Sequence, residues 1–225
     1  DNDFLAFFRS LHRAYGARFH FNVYFEDNYF FKDFTLAQMP DRHRGEWRDN
    51  ASWMRLTFHA RADQPDRLYE DAGYDVVRRD CARVTEEIAR FAGEELLSPF
   101  TTIHWGAATR EGCRALRDAG FRGLAGYFIE RNGKPCVSYY VSSEQQRHLA
   151  ARDYWMDPEE RLFFIRHDMV VNNVALPDIV PQLDALAADP HLSEVIELMI
   201  HEQYFHRQFS AFRPDARERV EAAVR

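Results

Sequence analysis

Apolar positions along the chain switch between two periods. Over residues 1–15, Phe4, Leu5, Phe7, Phe8, Leu11 and Tyr15 recur at helical spacing, which predicts an amphipathic helix closed by Gly16. Asp1 and Asp3 suit its N-terminus, where free N–H groups need acceptors. Over 18–25 the period drops to two. Phe19, Phe21, Val23 and Phe25 share one face, so a strand is expected, with Glu26 and Asp27 at its C-terminal end. Further strands are expected over 53–58, ending at His59, over 100–103, ending at His104, and over 123–128. Two more are expected over 162–165, leading into His167-Asp168, and over 195–200, ending at His201. Helical patterns cover 74–91, 109–119, 179–188 and 215–225, with loop and short helix over 36–50. Asn132-Gly133 marks a hairpin. Tyr154-Trp155, flanked by Asp153 and Asp157 before Pro158, reads as a turn.

Helices that alternate with strands imply a mainly parallel sheet, because parallel strands need crossover connections. There are too few such units for an eight-fold barrel. The expected fold is therefore α/β: a distorted, incomplete (β/α) barrel of mostly parallel strands with a small hairpin insertion. No repeat or linker interrupts the pattern, so residues 1–225 read as one domain.

Charge narrows the choice of partner. Lys and Arg number 29 against 36 Asp and Glu, a net charge of -7, so nucleic acid is not expected: no basic surplus exists to offset phosphates. Aromatic residues reach 15%, which suits a bulky core or a cleft that stacks on rings. Cys81, Cys113 and Cys136 are widely spaced and read as free, buried thiols. No apolar run approaches the roughly 20 residues of a membrane span, and no signal-peptide pattern is visible, so a cytoplasmic protein is expected. The abrupt opening at Asp1 leaves room for preceding residues in the natural chain.

In parallel α/β folds the site gathers at the C-terminal ends of the strands. There stand Glu26-Asp27, His59, His104 and His201. The tightest spacing is His59-x3-Asp63, which can face one centre if the loop makes a helical turn. Imidazole with carboxylate suits zinc and similar divalent metals. Trp105, Tyr69 and Tyr204 place rings beside these groups, as sugar-binding clefts do, though core packing is the plainer role for each. Asp168 beside His167 can orient a ligand or cap a helix. No Gly-x-Gly-x-x-Gly, P-loop, Gly-x-Ser-x-Gly or His-Glu-x-x-His is present.

Four segments carry a family resemblance: Leu56-Thr57-Phe58-His59-Ala60, Pro65-Asp66-Arg67-Leu68-Tyr69, Thr101-Thr102-Ile103-His104-Trp105-Gly106 and His201-Glu202-Gln203-Tyr204-Phe205. Together they resemble a divergent branch of the polysaccharide deacetylase superfamily, the NodB-like carbohydrate esterases. That family has a distorted (β/α) barrel and a metal held by an Asp and a His-x3-His pair. His59 matches the first His, and Asp63 stands where the second would be. The family's Asp-Asp pair has no match and would precede Asp1. Arg67 resembles the Arg that orients the catalytic carboxylate, and His201 resembles the late His that acts as general acid.

The resemblance implies metal-assisted hydrolysis of a carbohydrate acyl group, on carbon–nitrogen bonds other than peptide bonds. Zinc is the first candidate, on His59 and Asp63, with Arg67 and His201 catalytic. His104, Trp105, Tyr69, Tyr204, Glu202 and Asp168 would bind substrate, with Glu202 or Asp168 raising the proton affinity of His201. Two alternatives stand beside it: a carbohydrate-binding pseudoenzyme, and a glycosidase using two carboxylates such as Glu26 and Glu202.

Overall fold

The computed structural model describes residues 3–28 and 33–225; Asp1, expected at the first helix N-terminus, lies outside them. In chain order the main elements are α1 (Asp3–Tyr15), β1 (Phe19–Glu26), α2 (Arg44–Asp49), β2 (Met54–Ala62), α3 (Tyr74–Phe91) and β3 (Phe100–Thr101). There follow α4 (Arg110–Asp118), β4 (Gly123–Gly126), β5 (Ile129–Arg131), β6 (Lys134–Cys136), α5 (Ser143–Ala150), β7 (Tyr154–Asp157) and β8 (Leu162–Arg166). The chain ends with β9 (Met169–Val170), α6 (Leu176–Ala188), β10 (Leu198–Met199) and α7 (Ala216–Val224). Two compact units result. One combines Phe19–Ala150 with Tyr154–Arg166, and the other combines Asp1–Arg18, Ala151–Asp153 and His167–Arg225.

The first unit is α/β. β1 and β2 pair in parallel, and β3-β4-β8-β7 form a sheet in which only β7 is antiparallel. β3 lies beside β2 through a parallel bridge from Leu56 to Leu97 and bonds from Thr57 Oγ1 to the Phe100 carbonyl (2.9 Å) and from Thr101 Oγ1 to the Phe58 carbonyl. No closed barrel forms among the described residues. Gly123 pairs with Phe100, and a Cβ there would run into the Phe100 ring, so glycine lets β3 and β4 approach. Val77, Cys81, Val84, Ile88 and Phe91 give α3 its buried stripe, with α4 packed beside it. Thr109 caps α4 by accepting from the Gly112 N–H at 3.0 Å. The β5–β6 hairpin turns at Asn132 and Gly133, both at positive φ (52° and 71°) as such a two-residue turn requires.

Three expectations need correction. β2 does not stop at Phe58 but runs to Ala62, because Ala60 and Ala62 are fully buried and continue its inner face. Tyr154–Asp157 is a strand rather than a turn. The turn signal at Asp157-Pro158 is real but follows the strand: Asp157 Oδ1 accepts from the Glu159 and Glu160 N–H groups at 2.8 and 3.2 Å and reverses the chain into β8. The strand expected over 195–200 shrinks to Leu198–Met199.

Beside that reversal, Glu160 is 2% exposed and receives Arg114 Nε at 3.1 Å and Arg117 Nη1 at 3.0 Å. Bonds from Arg114 hold its carboxyl below the ordinary value of 4.5. A lowered carboxyl contributes stability that is complete above its unfolded value and is lost as pH falls through the native one. The urea midpoint of the wild type should therefore fall more steeply between pH 6 and pH 3 than that of Glu160→Gln. Equal slopes would show that Glu160 does not carry this linkage.

In the second unit β9 and β10 pair in parallel and α7 packs on α6 and α1. The phenol of Tyr15 donates to Glu221 at 3.0 Å, and Phe4, Phe7 and Phe8 gather around Phe205. Cys81 and Cys113 are buried and Cys136 is half-buried, all three as free thiols. No helix among the described residues is long and apolar enough to cross a membrane.

Candidate active site

The pleat of β1 sends His20, Asn22 and Tyr24 to one face, because alternate residues share a side. These three side chains reach toward the segment that carries β3. His20 Nδ1 meets Ser98 Oγ at 3.1 Å, and Asn22 Oδ1 accepts from Thr101 Oγ1 at 3.4 Å and from the Thr102 N–H at 3.3 Å. Tyr24 continues the series. Its hydroxyl donates to Asp63 Oδ1 at 3.2 Å, and its ring stands edge-on to His59 (4.9 Å between centroids) and to His104 (5.4 Å). His59 and His104 are 5.3 Å apart by ring centroid, and His104 Nε2 lies 3.8 Å from Asp63 Oδ1. Tyr24, His59, Asp63 and His104 thus form one cluster.

The backbone helps to assemble it. The β1–β2 register steps from Val23↔Phe58 to Tyr24↔Ala60, so β2 carries one extra residue at His59. A bulge of this kind re-aims a side chain, and such bulges concentrate beside active sites. His59 Nδ1 bonds the Thr102 carbonyl, which ties the imidazole to the end of β3. His59 and Asp63 meet through an extended strand and Tyr24, where a helical turn was expected.

Electrostatics differ among the members. Burial, followed by the negative charge of Asp63, raises the Tyr24 phenol well above its ordinary value, so it remains a donor. Burial lowers the His104 pKa below 6.5, while Asp63 and Asp66 act weakly in the opposite direction.

Trp105 follows His104 in a tight 3-10 turn, His104–Gly106, and is 42% exposed with φ 62°. Positive φ on so bulky a residue is uncommon and strained. The Arg67 guanidinium lies 5.8 Å from the Trp105 ring centroid, 3.0 Å from Glu70 Oε1 and 3.6 Å from Cys136 Sγ. Arg67 therefore stands beside the exposed indole. Tyr69 has a different role. It is fully buried, its hydroxyl accepts from the Arg61 N–H at 2.8 Å and donates to Asp80 at 3.2 Å, and no surface is left on it for a ligand.

The remaining expected residues belong to the second unit. His201 Nδ1 is 3.3 Å from Asn172 Oδ1, and its ring is 6.0 Å from that of Tyr204. Tyr204 also packs on Phe209 and takes Arg213 at 5.6 Å over its face. Glu202 is paired with His206 at 3.1 Å, and Asp168 Oδ2 accepts from the Glu197 N–H at 2.9 Å. The carboxylate on the His167 ring is that of Glu197. Of the two carboxylates of the glycosidase alternative, Glu26 pairs with Arg61 in the first unit.

Sequence reasoning missed Tyr24, the residue that joins the cluster. Its signal was faint but present: a hydroxyl-bearing ring on the polar face of a strand, two positions before Glu26. Among the described residues, no three His, Cys, Asp or Glu side chains are gathered so as to hold a metal ion. No protein-family model matches the chain, and no curated protein is similar to it, so the site's chemistry rests on its own geometry.

Proposed function

We propose that this chain is a hydrolase of the carbohydrate deacetylase type, its open sheet being part of a NodB-like barrel. The observation that carries this reading is the Tyr24 hydroxyl on Asp63 with the rings of His59 and His104 packed around it. A carboxylate just past β2, an imidazole at the β2 bulge and another after β3 are the groups that acyl hydrolysis needs.

The donor types at His59 and Asp63 suit a divalent cation, zinc first. The bond from His59 Nδ1 to the Thr102 carbonyl selects the tautomer whose Nε2 bears the lone pair, the arrangement typical of a metal-binding histidine. When bound, such a cation polarises an acyl carbonyl and acidifies a coordinated water. The chain's own groups do the rest. Tyr24 orients the Asp63 carboxylate, and the Trp105 indole, with the Arg67 guanidinium over its ring at 5.8 Å from the centroid, offers a sugar an apolar platform on its exposed surface.

One observation favours a second reading, carbohydrate binding without turnover: the described residues gather no three metal donors. A single preparation separates the two. Purified protein, with and without zinc or chelator, is mixed with N-acetylglucosamine oligomers, and both binding and acetate release are measured. Zinc-dependent acetate release supports the hydrolase, and binding without release supports the second reading. Neither binding nor release would overturn both.

A further inference from the structure

We infer that His104 presents a fixed Nε2–H donor to the acyl oxygen of the ligand, and does not act as a metal ligand. This deepens the proposed function and rests on it for the identity of the ligand.

The inference comes from the two ends of the imidazole. His104 is 7% exposed, and its Nδ1 is buried with no hydrogen-bond partner among the described residues. Its Nε2 faces Asp63 Oδ1 at 3.8 Å. A neutral imidazole carries one N–H and one lone pair. With the proton on Nδ1, a donor would be buried and unpaired, and orphaned buried N–H groups are rare and costly. With the proton on Nε2, the donor lies on the side of the ring that faces the cluster, and that penalty eases. The Nε2–H tautomer is therefore favoured.

That N–H is not consumed by Asp63. A separation of 3.8 Å exceeds the N–H···O range of roughly 2.7–3.2 Å, so the proton remains for an incoming oxygen. His59 has the opposite polarity, with its Nδ1 on the Thr102 carbonyl and its lone pair on Nε2. Two imidazoles with centroids 5.3 Å apart thus divide the work. His59 offers an electron pair suited to a cation. His104 offers a hydrogen bond to the oxygen on which negative charge develops as water adds to the acyl carbon. His104 transfers no proton in this role.

Long-range 1H–15N correlation spectra of the full chain, labelled at histidine, read the tautomers directly, with His104 assigned by its loss in His104→Gln. The expected result is Nε2–H at His104 and Nδ1–H at His59, and the His104 Nε2 resonance should shift when N-acetylglucosamine trimer is added. An Nδ1–H tautomer at His104, or no shift on a trimer that binds, overturns the inference.

Kinetics provide a second arm. His104→Phe keeps a ring but removes the donor, and should lower kcat by about 10²–10³-fold with zinc content unchanged. His104→Gln, which restores an N–H, should recover part of that loss. Wild-type kcat in His104→Phe overturns the role, and so does a parallel fall in zinc content, which would make His104 a ligand. If the wild type releases no acetate, the proposed reaction fails, and the tautomer and the trimer-induced shift decide the inference on their own.

Discussion

His59→Ala is expected to weaken zinc binding by more than about 100-fold. Removing a partner that merely orients a metal ligand already costs about 10–100-fold in affinity, and under the proposed function His59 is itself a ligand. The substitution also releases the Thr102 carbonyl, which His59 Nδ1 binds, and removes one ring from the Tyr24 cluster. The fold should survive, because His59 lies on the half-exposed face of β2 while Phe58, Ala60 and Ala62 on its inner face are fully buried. Zinc titration by chelator competition, with circular dichroism as the control for folding, makes the comparison. Equal zinc affinity in variant and wild type would remove His59 from the site. In Asp63→Asn the carboxylate is lost while an oxygen acceptor for Tyr24 stays in place, so a smaller loss of zinc is expected there.

Phe164→Ala should have the largest effect on stability. Phe164 is fully buried on β8 and stacks on Trp155 (5.6 Å), with Tyr140, Tyr139 and Phe128 edge-on or tilted against it at 5.3–6.0 Å. Truncating a buried Phe to Ala costs about 3–5 kcal/mol, the lost transfer energy plus the cavity left behind. Aromatic pairs add about 0.5–1.5 kcal/mol each beyond area burial. Against a total stability of about 5–15 kcal/mol, that loss brings the variant close to unfolding at room temperature. Urea unfolding followed by tryptophan fluorescence measures it. Met156→Ala, at a side chain 42% exposed on the neighbouring strand, should shift stability by only about 0.5 kcal/mol. If the two variants melt alike, the cluster around Phe164 does not anchor the sheet.

Local pattern predicted well wherever one face of an element is buried. The helix over 74–91 is found at Tyr74–Phe91, and the hairpin at Asn132-Gly133 is where the turn residues put it. It predicted poorly where a strong local signal masked a weaker neighbour. Asp157-Pro158 hid the strand just before it. One readable signal went unused: Ser142 and Gln145 form a capping box ahead of α5, the Ser142 N–H donating to Gln145 Oε1 at 2.8 Å and the Gln145 N–H to Ser142 Oγ at 3.4 Å. The strand over 195–200 shrank to two residues because β-forming side chains do not make a strand without a partner to pair with.

The amino-acid order by itself determined the α/β class, the parallel crossovers and the presence of His59, Asp63 and His104 near strand ends, because these follow from short-range periodicity and turn chemistry. Only the tertiary structure decided which of those groups meet. The β2 bulge at His59, the reach of Tyr24 from a different strand and the burial of His104 Nδ1 all join residues dozens of positions apart. It also turned Tyr69 from a cleft candidate into a core strut, by burying its ring and spending its hydroxyl on Arg61 and Asp80. The physical reason is the same in each case: a periodicity records which face of an element avoids water, whereas a site depends on which elements are brought side by side.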